Sequence, residues 1–221
     1  MRRRIIYFML ATAIIGQLMI SETSASAQTT RINLLEQRIT LHIEKATFLY
    51  ALSTLCGDYK IPIGFEQALG HKAQYHLNID LENATLEDVL NEIVGQEMGY
   101  RWELRDGVIN IIPITSRDDF VEKLLNTPIR RFDQPKKLGK FQIRDAITEL
   151  PEVVALLKAN GITASHYGYV YSSPYPNEKV DLNISGTDVR GILNKVIRET
   201  EHNMWMVSRS GRNLRSLDLG F

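Results

Sequence analysis

Between residues 39 and 44 apolar and polar positions alternate, with Ile39, Leu41 and Ile43 set against Thr40, His42 and Glu44. This period of two predicts a strand with one wet face. The period then lengthens: Phe48, Leu49, Leu52, Leu55 and Cys56 fall on one side of a helix, and Gly57 supplies a stop. Ile61, Ile63 and Phe65 predict a second strand, and Pro62 within it predicts an edge position, because proline cannot donate to a ladder. Leu77, Ile79 and Leu81 form the apolar face of a third strand. Thr85 followed by Asp88 then reads as a capping box that opens a second helix. Tyr100 to Leu104 and Val108 to Ile112 flank Arg105-Asp106-Gly107, a hairpin turn signal. The expected order is strand, helix, strand, strand, helix, hairpin.

That pattern returns at an offset of 103 residues. Leu77, Ile79 and Leu81 fall on Val180, Leu182 and Ile184. Leu86, Val89, Leu90, Ile93 and Val94 fall on Val189, Ile192, Leu193, Val196 and Ile197, and Trp102 falls on Trp205. Thr187 or Asp188 is placed to cap the later helix, and Leu217, Leu219 and Phe221 alternate at the end. Between the repeats, Phe120, Val121, Leu124 and Leu125 predict a connecting helix that Pro128 ends. Pro151 sits where a further helix can begin after a bend, and Asn160-Gly161 closes it. The expectation is an α+β fold of two small domains of mixed sheet packed with helices, built by internal duplication. Its parts are an export signal at 1–27, a flexible linker at 28–37, a first domain at 38–113, a connecting helix at 114–130 and a divergent second copy at 131–221.

The run Ile39-Thr-Leu-His-Ile43, Ala51-Leu52, Leu77-Asn-Ile-Asp-Leu81 and Ala84-Thr-Leu-Glu-Asp-Val-Leu90, closing on Gly99-Tyr-Arg-Trp102 and a Val108 to Ile112 strand, resembles the short N-terminal domain shared by secretins and TonB-dependent receptors. The resemblance covers residues 39 to 113, about a third of the chain. It implies a bacterial periplasmic domain that binds other proteins, such as inner-membrane secretion components or the periplasmic part of an anti-sigma regulator, and that is not an enzyme. The chain departs from the larger architectures of that family in having no secretin body, plug or barrel after the domain.

The N-terminus fits this location. Arg2, Arg3 and Arg4 precede an apolar run from Ile5 to Ile20, and Ala25-Ser26-Ala27 forms a small-x-small cleavage site with Gln28 as the expected mature start. An uncleaved inner-membrane anchor is the alternative, since the run approaches the length that spans a bilayer. Without residues 1–27 the chain has no later stretch long enough to cross a membrane as a helix and is expected in the periplasm. The cleaved chain keeps 23 basic against 25 acidic side chains, a balance with no electrostatic footprint for nucleic acid. Its single Cys56 can form no internal disulfide, so packing must hold the fold.

No residue pattern marks a catalytic centre, a metal site or a cofactor. His71 and His76 are five apart, which is not a helical ligand spacing, and Cys56 lies on an apolar stripe with no motif for a positioned base. Acid pairs such as Glu87 and Asp88 fall at helix starts, where the helix dipole accounts for them. Two strands are the candidate binding surfaces. One is Ile61, Ile63 and Phe65, expected as an open edge. The other carries Tyr167, Tyr169 and Tyr171 on one face and runs on to Pro176. The expected role is a non-catalytic protein–protein interaction module of the envelope, serving a secretion, receptor or signalling assembly. The alternative is a cell-wall or glycan-associated binder or enzyme using the Tyr167 to Pro176 segment.

Overall fold

The computed structural model describes residues 34–70, 76–138, 140–164, 180–200 and 203–221. It is an α+β structure whose elements follow the alternation of periods. The first half runs β1 (Arg38–Ala46), α1 (Phe48–Tyr59), β2 (Ile63–Glu66), β3 (Leu77–Thr85), α2 (Leu86–Gln96), β4 (Tyr100–Arg105) and β5 (Val108–Pro113). Then α3 (Asp119–Leu125) leads into β6 (Pro128–Leu138), α4 (Lys140–Thr148), α5 (Pro151–Ala159), β7 (Thr163–Ala164), β8 (Val180–Asp188), α6 (Val189–Glu199), β9 (Met204–Ser210) and β10 (Ser216–Gly220).

Local signals place the element ends. Thr85 accepts from the Asp88 N–H while the Asp88 carboxylate accepts from Thr85, a complete capping box. The Thr85 hydroxyl, at 2.6 Å, and then the Thr85 backbone N–H, both donating to the Asp88 carboxylate, hold its carboxyl below its ordinary range. Of the two candidate caps for α6, Asp188 is the one used, accepting from the Gly191 N–H at 2.8 Å. Asp106 and Gly107 both have positive φ, 54° and 73°, which a two-residue hairpin turn of this twist requires. Pro151 opens α5 at its first turn, where a missing N–H costs nothing.

The pairing joins the halves. Six strands form one sheet in the order β4-β5-β2-β9-β10-β7, and β1-β3 and β6-β8 form two further antiparallel pairs. Within the first half β2 lies parallel to β5 and β4 antiparallel to β5; within the second, β7 lies parallel to β10 and β9 antiparallel to β10. Two cores occupy opposite faces of the shared sheet. Ile63, Phe65, Ile109, Ile111 and Met206 face a core completed by β1, β3, α1 and α2, including Leu52, Leu55 and Leu90. Val108, Trp205, Val207, Leu217 and Leu219 face a second core completed by α3, α5, α6, β6 and β8, including Leu193. The reading of two separate domains is therefore refined to two cores that share one sheet.

Three further expectations change. Residues 34–37 are not a free linker: Leu34 and Leu35 pack on the first core, and the Gln37 carbonyl accepts from the Leu86 N–H. The segment after α3 is strand from Pro128 on, so the second half begins before residue 131. Among its residues whose burial is described, Ile129 and Phe132 are the buried ones, three apart, and that spacing hides a strand from a search for alternation. Third, α3 is not merely a connector, since Phe120, Val121, Leu124 and Leu125 all belong to the second core.

Candidate functional site

The expected open edge at Ile61, Ile63 and Phe65 is closed. Pro62 stands just before β2 rather than within it, where its missing N–H costs no ladder bond, and its carbonyl accepts from the Ile109 N–H at 2.9 Å. On the other side β9 pairs with β2 in parallel, and the Ile63 N–H donates to the Asn203 carbonyl at 2.7 Å. All three side chains are buried in the first core. The proline signal was correct about a missing donor and wrong about a missing neighbour. Tyr167, Tyr169 and Tyr171, like residues 1–33, His71, His166 and His202, lie outside the described residues.

The β2–β9 seam carries a buried polar cluster. Gly64 stands opposite Trp205, and an added Cβ there would come within 2.2 Å of Trp205 Cζ2, so the indole lies directly on the glycine. Arg190 of α6 reaches over this seam, its guanidinium 5.9 Å from the Trp205 ring centroid. Its Nη2 is 2.7 Å from Glu66 Oε1, and its Nη1 donates to Asn110 Oδ1 at 3.3 Å. Glu66, Asn110, Arg190 and Asn194 are all buried. The Glu66–Arg190 contact is a close ion pair with poor hydrogen-bond angles, and neither carboxylate oxygen has a hydrogen-bond partner among the described residues. Burying this pair needs its Coulomb attraction to offset a desolvation cost of several kcal/mol per ion. Nearby, Arg105 stays protonated beyond its ordinary range: burial alone would lower its pKa, but the Asp188 carboxylate at 2.8 Å, with Asp106 and Glu103, outweighs it.

One hydrogen bond occurs twice at the 103-residue offset. Trp102 Nε1 donates to Asn91 Oδ1 at 2.9 Å, and Trp205 Nε1 donates to Asn194 Oδ1 at 2.8 Å. Asn83 and Gly186, at the same offset, both have positive φ, 49° and 63°. The environments differ: β2 covers Trp205, and the buried Asn194 also donates to the Arg105 carbonyl at 3.3 Å, whereas Trp102 is half-buried and Asn91 exposed. Asn194→Ala should therefore cost about 1–3 kcal/mol by stranding a buried indole N–H, while Asn91→Ala, where water can replace the amide, should cost well under half as much in denaturant unfolding.

At the far side of the sheet, among the described residues, β4 pairs with β5 alone. Beside it Met98 and Ile114 are exposed at 85% and 58%, and the Ile114 N–H donates to the Gly99 carbonyl, extending the hairpin. The sequence pattern singled out neither the β4 edge nor the Glu66–Arg190 pair. The offset could have led to both, since it pairs Glu87 with Arg190 at equivalent sites of similar helices.

Elsewhere the geometry offers little chemistry. Cys56 is buried, which pushes its thiol up well beyond the ordinary range despite a hydrogen bond from the Ile63 backbone. Tyr100 is pushed up to about 12, chiefly by burial, against a hydrogen bond from the Ala68 N–H and with the Glu97 charge adding to the rise. His42 contacts Asp80 at 2.6 Å and His76 contacts Glu97 at 3.1 Å, both as isolated pairs. Among the described residues no three His, Cys, Asp or Glu side chains are grouped to hold a metal ion, and no helix is long and apolar enough to cross a membrane. A shallow depression of about 550 Å³ is lined by Arg105, Asn126, Arg130, Thr187 and Asp188. Arg105 is already paired there. No family model, curated protein or solved structure matches the chain.

Proposed function

We propose that this chain is an exported, non-catalytic protein–protein interaction module of the periplasm, similar to the short N-terminal domains of secretins and TonB-dependent receptors, and that it arose by duplication of one such unit. The observation that carries the reading is the β4 edge, unpaired among the described residues, with exposed apolar Met98 and Ile114 at its end, on a sheet whose two faces are both covered. An open edge supplies backbone groups that another chain can pair with. The element order of residues 38–113 accords with the resemblance. Duplication is supported by the repeated order and strand pairing, the paired caps at Thr85 and Asp188, and the twofold Asn–Trp bond. The partner is an envelope protein of a secretion, receptor or signalling assembly.

The test is in vivo cross-linking of a tagged copy in a bacterial envelope that encodes it. The product is expected in the periplasmic fraction, starting at or within a few residues of Gln28, and joined to a defined envelope protein. A cytoplasmic product, or no cross-linked protein from photoreactive positions spread over the whole surface, would refute the reading.

A further inference from the structure

The seam between the halves is itself a strand addition, and it leaves its template unused elsewhere. In that seam β9 offers its outer edge to β2: the Ile63 and Gln67 N–H groups donate to the Asn203 and Val207 carbonyls at 2.7 and 3.0 Å. Trp205 and Val207 lie centrally in that edge, opposite Gly64 and Glu66. Subtracting 103 residues gives Trp102 and Leu104, on β4.

The hairpin fixes where their backbone groups point. A two-residue turn at Asp106-Gly107 makes Arg105 and Val108 the hydrogen-bonded closing pair. Hydrogen-bonded pairs alternate along an antiparallel ladder. Arg101, Glu103 and Arg105 therefore spend their backbone groups on β5, while Trp102 and Leu104 direct theirs to the open side, where no described element pairs with β4. The Trp102 indole is held by Asn91 as Trp205 is held by Asn194, but with no described strand beneath it.

One shared side chain and two differences define what would fit. Trp205 demands glycine opposite it, and Trp102 places the same ring at the same point. Met204 and Met206, which flank the seam, are replaced by Arg101 and Glu103, a half-exposed ion pair at 3.0 Å, so flanking residues can be polar. The Arg190 that meets Glu66 is replaced by the exposed Glu87, which reverses the charge required two residues after the glycine.

We propose that the β4 edge binds an extended segment of a partner protein, running parallel to β4, with a glycine against Trp102 and a lysine or arginine two residues later against Glu87. This rests on the interaction-module reading above and names the partner's recognition chemistry. The backbone ladder provides binding and the glycine and cation provide selectivity.

The test uses a fluorescent peptide spanning residues 60–67 with Ile63→Thr, Phe65→Thr and Glu66→Lys, added to the purified chain. The peptide is expected to bind and to slow amide exchange at Trp102 and Leu104. Gly64→Val in the peptide, or Leu104→Pro in the chain, which removes an outward N–H and leaves the β5 ladder intact, should each weaken binding about tenfold or more. Glu87→Lys, a change at an exposed position, should reverse the preference toward a peptide that retains Glu66. No binding, protection that maps elsewhere, or indifference to both Gly64→Val and the charge exchange would overturn the proposal. So would self-association of the chain that Leu104→Pro abolishes, since a second copy would then occupy the edge. An envelope partner that still cross-links to the Leu104→Pro chain would remove this inference and leave the interaction-module reading standing.

Discussion

Arg190→Met is expected to lose about 3–5 kcal/mol of stability in equilibrium denaturant unfolding, because it leaves the Glu66 carboxylate buried and uncompensated between the halves. Asn110 would also lose its guanidinium donor. The cost belongs to the abandoned charge rather than to the ion pair as such. Glu66→Leu introduced together with Arg190→Met should therefore recover most of the loss, since two apolar side chains of similar volume avoid both desolvation costs. A double variant as unstable as the single one would show that the ion pair itself, and not the stranded carboxylate, holds β2 against α6.

Gly64→Val is expected to be comparably severe, at about 3 kcal/mol or more, at the upper end of what overpacking costs. The added Cβ would meet Trp205 Cζ2 at 2.2 Å and Cε2 at 2.3 Å. The ring cannot swing aside without breaking its 2.8 Å bond to the buried Asn194. The strand pair β2–β9 must then separate, which weakens the one strand contact that, among the described residues, joins the halves of the sheet. Gly57→Ala is the control: nothing lies within 4 Å of its new Cβ, and in an exposed helical position alanine should gain about 0.5–1 kcal/mol. Gly64→Val combined with Trp205→Leu should regain part of the loss. If the single variant unfolds at the parent's denaturant midpoint, the packing of Trp205 on Gly64 does not support the seam.

Both effects arise at the seam, and the seam is where the amino-acid pattern alone fell short. Ile61, Ile63 and Phe65 were legible as a strand because apolar residues at a period of two bury one face. Which strands lie alongside them is set by backbone groups that carry no sequence signature. Pro62 therefore suggested an open edge that β9, some 140 residues later, in fact fills. The strand at Pro128–Leu138 was missed for a different reason. Its buried residues break the alternation, and most of its other side chains are charged or polar.

The sequence by itself determined much of the local order: the capping box at Thr85, a cap at Thr187 or Asp188, the turn at Asp106-Gly107, the helix start at Pro151, and the echo at 103 residues, although the first helix passes through Gly57 and ends at Tyr59 with Lys60 left-handed. These depend on short-range sterics and on hydrogen bonds between near neighbours, so residue type and spacing suffice. Only the tertiary structure decided that two such units share a single sheet, that a glycine and a buried ion pair lock it, and that β4 rather than β2 is left unpaired. Those outcomes depend on which surfaces meet across long stretches of chain. At equivalent positions the same Asn–Trp pair is buried in one half and open in the other, because a neighbouring strand covers only one of them.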